Sequence, residues 1–450
     1  MTDIPLAPGA LALVGHAVPL MRDPLAFLRS LTRYDDVVGV RLGPVRAVVV
    51  TGGDTADRVL RDDHLFDKGG PFWDRVREFA GNGLSSCPHA AHRRQRRVVR
   101  PAFHADRLPG YAAAMLAQAQ AVTAPWRDGD TIDVVEDMVD ITARTVAVTM
   151  LAEGLPAAET EQALGDVTTL MSGLYRRMMR PGFVNDLPTP GNRAYHRAVA
   201  RLRGALGRVV VDRRAAPADH GDLLSALLAT YDMPDDAELV DQLVTFFIAG
   251  AETSAGCLAW TLHYLAERPD LQDQVRAEAA RILVDRTAPT HATVTGRVIA
   301  ESLRIRPPVW MVTRVATADT ELAGHKIPAG TAVVVSPYLL HHREDVFPRA
   351  DHFDPDRWLD GEPHRTAYLP FGSGARTCVG TRFANTELAI VLATVLNHWR
   401  VDPPHPDAVV RAVPAATLRP RDLRLRLTAR PTIPDPRAVR QSETNRPQPA

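Results

Sequence analysis

The sequence predicts a mainly α fold with small β-sheets, and three observations carry that prediction. Residues 235–268 form a long run at helical spacing, opened by Asp235 with Glu238 three positions on and stopped by Pro269. Helical spacing recurs over residues 111–124, 133–151 and 223–230. Strand-like runs, by contrast, are short: residues 37–42 and 45–50 flank a Gly43-Pro44 turn, residues 331–336 are rich in valine, and Leu423, Leu425 and Leu427 alternate with arginines.

Taken in order, the chain opens on an apolar stretch, residues 6–21, broken by Pro8, Gly9, Gly15, His16 and Pro19 and preceded by no basic segment. It is too short and too interrupted for a transmembrane segment and reads as a loop packed on the protein body. The 450 residues, 45% hydrophobic and 24% charged, fit one large enzyme domain over residues 1–430, with no separating linker and no internal repeat. Residues 431–450 are proline-rich and polar and are expected to be disordered. Balanced charge, 53 basic against 53 acidic side chains, gives no reason to expect nucleic acid. Cys87, Cys257 and Cys378 are too scattered for a disulfide framework and suit a cytoplasmic protein, with Cys257 a core residue.

Chemistry concentrates in four places. Phe371-Gly-Ser-Gly-Ala-Arg-Thr-Cys-Val-Gly380 presents Cys378 in a loop of small residues. Gly372, Gly374 and Gly380 permit tight turns and close approach of a flat partner, and Arg376 adds a cation two positions before the sulfur. This reads as a thiolate ligand to iron rather than an ordinary buried cysteine. Midway along the long helix, Ala249-Gly-Ala-Glu-Thr-Ser254 removes bulk at Gly250 and Ala251. Thr253 can bond a carbonyl one turn back and open the helix locally, so Glu252 and Thr253 read as an acid and alcohol proton relay. A solvent-facing Glu with a self-satisfied Thr is the bland alternative, which the downstream cysteine loop disfavours. Glu301 and Arg304 share a helix face at a spacing of three. His341-His342 looks like a metal pair, but neighbours on a strand point to opposite faces, so zinc carries little weight.

Together these motifs resemble the cytochrome P450 family. The cysteine loop matches Phe-Gly-x-Gly-x-Arg-x-Cys-x-Gly at every fixed position, and Ala249 to Thr253 match the family's central-helix motif. Glu301-Ser-Leu-Arg304 followed by Phe353-Asp-Pro-Asp-Arg-Trp358 resembles its charged triad, with Arg357 the third, structural member. The resemblance spans about residues 5–430 and implies a triangular helical body holding haem b between the central helix and the cysteine loop. It implies that Cys378 ligates the iron, that Ala249, Gly250, Phe371, Gly372 and Gly380 border the haem, and that His92, Arg96, Arg314 and Arg376 take its propionates.

The same resemblance implies oxidation of an unactivated C–H bond by dioxygen and two electrons. The stretch after Cys378 is too short for a flavin reductase, so electrons should come from NAD(P)H through a separate ferredoxin and ferredoxin reductase, docking on the cysteine side. Substrate contacts are implied at Phe72, Trp73, Phe79, Leu84, Phe246, Ala249, Val309, Met311, Ala416 and Thr417, mostly apolar. Residues 15–27, 92–103 and 174–180 look like actinobacterial members that oxidise sesquiterpenes in secondary metabolism, which points to a small cyclic sesquiterpene. Other terpenes, fatty acids and macrolides stay open, as do a peroxide-driven haem enzyme and a haem sensor. One departure from the family is a short stretch between Ile282 and Glu301 with little helical character at residues 285–294.

Overall fold

The computed structural model describes residues 4–43, 45–152, 154–179, 182–230, 234–361, 365–405 and 408–431. Pro44, Arg180 and all of the expected tail except Pro431 lie outside them. The Asp235 carboxylate accepts the Glu238 N–H at 2.7 Å, and the central helix runs unbroken from Asp236 to Ala266. Asp133, Asp222 and Thr293 cap Val134–Leu151, Leu223–Leu228 and Val294–Ile305 in the same way. The stretch expected to lack helix does so: Pro269–Asp285 ends at Arg286, whose φ of 50° is left-handed, and helix resumes at Val294.

Strands gather into small sheets at the margins. Val37–Leu42 and Val45–Val50 pair as an antiparallel hairpin, and the second strand pairs in parallel with Ala332–Val335. Val312–Ala316 and Phe66–Asp67 complete this five-stranded sheet. Arg424–Ala429 pairs with Thr131–Asp133 and Trp399–Asp402, burying Leu425 and Leu427 as the alternation predicts. A short hairpin joins Ala412–Pro414 to Leu418–Pro420.

Two expectations need correction. The N-terminal stretch is not all loop, because Ala17–Arg22 is a helix. His16 behind it is fully buried, with Nε2 2.8 Å from the Ala7 carbonyl and Nδ1 accepting the Arg41 N–H at 3.0 Å. His341 and His342 are not on a strand: they end the short helix Pro337–His341, and both are buried.

Among the described residues, the central helix is the one helix long and apolar enough to cross a membrane, yet 72% of its apolar window is buried within the protein. Its tightest neighbour is Val134–Leu151. A Cβ on Gly250 would lie 2.5 Å from Val146 Cγ2, and the Thr142 hydroxyl donates to the Ala251 carbonyl at 2.7 Å. The missing side chain of Gly250 is therefore used by the helix crossing, a different physical reason from the one read in the sequence. We expect Gly250→Ala to lower unfolding stability by about 1–3 kcal/mol, and Val146→Ala in the same chain to restore part of it, measured by denaturant titration. Independent, additive losses would refute the contact.

Candidate active site

The cysteine loop is shaped by two glycines. Gly372 and Gly374 have φ of 73° and 70°, and a Cβ on Gly374 would lie 2.7 Å from the Leu60 carbonyl and the Arg61 Cα. Gly380 is different, with an ordinary φ of −88°, and its role is positional. It precedes the 18-residue helix Thr381–His398, which aims its positive end at the sulfur. The Cys378 N–H closes the loop on the Phe371 carbonyl at 2.9 Å. Burial pushes the Cys378 thiol up, opposed by the Gly380 N–H, the Thr381 hydroxyl and the Arg96 guanidinium. Cys378 as a residue nevertheless has accessible surface. Both statements hold for a residue on the wall of an internal cleft. Ala249 is likewise exposed in the middle of a buried helix.

Cations gather beside this loop. Arg376 donates to Asp63 at 3.0 Å, Asp67 at 3.1 Å and the Cys87 carbonyl at 2.8 Å. Arg96 donates to the Thr377 carbonyl, next to the cysteine, at 2.7 Å. Arg314 is buried, its Nε lacks a partner, and burial followed by Arg376 lowers its pKa to about 10. His92 is buried 3.8 Å from Asp63, and burial followed by Arg376 lowers it to about 3. Lys68 belongs to the same group and was missed in the sequence, since nothing in its local pattern marks it. Its ammonium donates to the Ser85 carbonyl and sits 4.5 Å from the Trp73 ring centre. Burial, then Arg314 and Arg376, push its pKa well down. Among the described residues, the carboxylates set against Lys68, Arg96, Arg314 and Arg376 are those of Asp63 and Asp67, which leaves four basic side chains facing two acidic ones, a shortage of acidic partners. The two propionates of a haem match that shortage, and the residues fit the group.

Across the cleft, the Thr253 hydroxyl donates to the Ala249 carbonyl at 2.7 Å without interrupting the helix, so the expected local opening does not occur. Glu252 accepts from the Thr417 hydroxyl at 3.3 Å. Burial raises its pKa, opposed by Arg419 and Thr417. Thr417, expected as a substrate contact, is thus engaged with the acid. Its loop is pinned on both sides: Trp310 Nε1 donates to the Ala415 carbonyl at 3.0 Å, and Trp260 Nε1 to the Leu418 carbonyl at 3.2 Å.

Beneath the loop, Glu301 and Arg304 are fully buried and joined by two bonds of 2.8 and 2.9 Å, and Arg357 donates to Glu301 at 3.0 Å. Arg304 also donates to the His341 carbonyl at 2.8 Å. His341 then bridges outward, with Nδ1 3.0 Å from the Arg304 carbonyl and Nε2 accepting the Leu369 N–H at 2.8 Å, two residues before the cysteine loop. Burial, then Arg304, lowers His341 to about 3, so it is neutral with Nδ1 the protonated nitrogen.

A family profile described as Cytochrome P450 matches residues 5–424. The chain belongs to the cytochrome P450 family. It is 40% identical over 94% of its length to a pentalenene oxygenase of Streptomyces avermitilis, covering 97% of that protein. It is 42% identical over 88% of its length to a cyclooctat-9-en-7-ol 5-monooxygenase of Streptomyces melanosporofaciens, covering 89% of it. Among solved structures, the cytochrome P450DA heme domain superposes with a TM-score of 0.83 at 25% identity, over 96% of this chain and 98% of that one. This P450 is a haem-thiolate monooxygenase that draws its electrons from outside the domain.

The P450 brings most of the expected substrate residues into one apolar cluster. Trp73, Phe79, Leu84 and Phe246 are buried in it, with Phe72 and Ala416 packed against it. Met311 instead joins the cluster under the five-stranded sheet, and Val309 is 38% exposed. Phe103 was missed: its ring lies 5.4 Å from that of Phe246 and within 3.6 Å of a Cβ placed on Gly380, bridging this cluster and the cysteine loop.

His341→Phe would leave the Leu369 N–H and the Arg304 carbonyl unpaired, a cost of about 2–5 kcal/mol. We expect a weakened thiolate-type spectrum of the ferrous carbon monoxide complex. Because the folded pKa lies below the ordinary 6.5, His341 destabilises the native state as pH falls from 6.5 toward 3. The variant should lose part of that acid sensitivity. Unchanged spectrum and pH dependence would remove the bridging role.

Proposed function

We propose that this P450 uses dioxygen to oxidise a cyclic sesquiterpene hydrocarbon stepwise, as part of cytoplasmic secondary metabolism. The observation that carries the substrate class is the likeness to pentalenene oxygenase over 94% of the chain. The cluster of Phe72, Trp73, Leu84, Phe246 and Ala416 supports it, because such a wall rewards apolar area rather than charge. Residues 1–430 act as one catalytic domain in this reading.

Haem b, when bound, supplies oxygen activation and electron storage. Cys378 would hold its iron, with the sulfur kept anionic by the Gly380 N–H, Arg96 and the helix beginning at Thr381. Lys68, His92, Arg96, Arg314 and Arg376 would hold the propionates. Phe371, Gly372 and Gly380 would form the cysteine-side wall, and Ala249 and Gly250 the opposite one. Glu252 is the proton source: its raised pKa keeps a proton available on the carboxyl at higher pH than an ordinary glutamate, while Thr417 steadies Oε2. Thr253, its own proton committed to the Ala249 carbonyl, offers lone pairs toward the cleft and orders the water that carries the proton onward. Electrons come from NAD(P)H through ferredoxin reductase and a ferredoxin. Arg93, Arg100 and Arg382 are exposed around Arg96 and the cysteine loop, a positive surface for an acidic ferredoxin.

Thr253→Ala should lower product formed per dioxygen consumed by about tenfold or more, diverting reduced oxygen to peroxide, while peroxide-driven turnover persists. Tightly coupled dioxygen-driven turnover in the variant would dismiss the relay. Titration of the ferric enzyme with sesquiterpene hydrocarbons, fatty acids and macrolides should give a low-to-high-spin shift with sesquiterpenes alone. A shift only with the other classes would discard the substrate assignment and leave the monooxygenase intact.

A further inference from the structure

Apolar exposure on this protein is concentrated at one place. Of the fifteen large hydrophobic side chains exposed among the described residues, nine fall between Leu6 and Val45. That concentration marks a patch rather than scatter. Residues 4–22 and 37–50 contain no acidic side chain, and their only charged residues are Arg22, Arg41 and Arg46.

Backbone contacts fold the two stretches together. Leu11 bridges Gly15, Gly15 bridges Leu42, and the Gly43 N–H donates to the Val14 carbonyl at 3.2 Å. The helix Ala17–Arg22 buries none of its six residues. Leu13 is 89% and Met21 70% exposed, and the hairpin tip pairs Leu42 with Val45, both outward.

One step behind that tip, Arg41 and Arg46 stand directly opposite each other across the ladder, an arrangement that repels unless an anion meets it. Arg41 donates to the Leu11 and Ala12 carbonyls at 2.7 and 2.9 Å, which carries its charge into the apolar turn. No carboxylate pairs with Arg22, Arg41 or Arg46 among the described residues.

From these features we infer that this face docks the enzyme on an anionic lipid bilayer. Leu13, Val18, Met21, Leu42 and Val45 would enter the acyl boundary, and the three arginines would meet lipid phosphates. A second copy of the chain fits less well, because a two-fold contact would press the same unpaired arginines against each other.

The test is co-sedimentation of the haem-loaded full chain with phosphatidylcholine vesicles, with and without phosphatidylglycerol. We expect binding only where phosphatidylglycerol is present, fading as salt rises. Arg22→Gln and Arg46→Gln should each weaken it by about fivefold. Leu13→Glu with Met21→Glu should abolish it while the haem absorption spectrum stays unchanged, which separates lost docking from lost folding. Failure to bind anionic vesicles, equal binding to pure phosphatidylcholine, or a Leu13-dependent dimer that ignores vesicles would each overturn the inference. The readout is adsorption, so it stands apart from the substrate assignment.

Discussion

The two carboxylate oxygens of Glu301 hold the lower half of this protein together. Oε1 accepts from Arg304, Arg357 and the Asp354 N–H, and Oε2 from Arg304 and the Trp358 indole. A charge with no access to water needs such a shell, since burial without it costs several kcal/mol. Arg304 comes from the helix that carries Glu301 and the other donors from one distant loop, so the shell forms only when the two have met. Arg304 extends the arrangement to the carbonyls of His341 and Ala350. The imidazole of His341 carries it to Leu369, and the cysteine loop follows. The geometry of the sulfur is thus fixed at a distance by hydrogen bonds that never touch the reacting centre.

On the other side of the loop the balance is reversed, with more positive charge than negative enclosed in one place. Burial first, and then repulsion from the neighbouring cations, depresses Lys68 and Arg314. An anionic cofactor bound there relieves that repulsion and stabilises the fold by mass action. Arg376 is central to both effects, since it is held by two carboxylates and one carbonyl while adjoining the cysteine. The protein and its prosthetic group are accordingly best regarded as one thermodynamic unit.

Local sequence patterns proved legible where the chemistry is local. The cap at Asp235, the helix beginning near residue 133, the first hairpin and the alternating leucines of the last strand all depend on neighbours in the chain, and their positions were read to within a residue or two. The cysteine loop was equally visible because its glycines and cation are contiguous. Lys68, His341 and Phe103 were not visible, because each acts through residues that only the tertiary fold brings near. Thr417 shows a subtler limit. A small polar residue in such a loop reads as a ligand contact, whereas the loop that carries it is held by two tryptophans, each more than a hundred positions from it in the chain. Gly250 shows the same ambiguity, since a missing side chain does not declare which neighbour uses the space.

The hairpin tip pinned by Trp260 and Trp310 has an evolutionary consequence. Ala416 packs on the apolar cluster and the adjacent Thr417 bonds Glu252, so two constraints act on one turn. A substitution that reshapes the apolar wall at residue 416 would also shift Thr417, the partner of the acid. In the proposed relay, a new substrate admitted at residue 416 therefore comes at the expense of oxygen economy unless a compensating change follows nearby. Lineages that diversify their products would be expected to drift first at Phe72 or Leu84, where shape can change without disturbing the supply of protons.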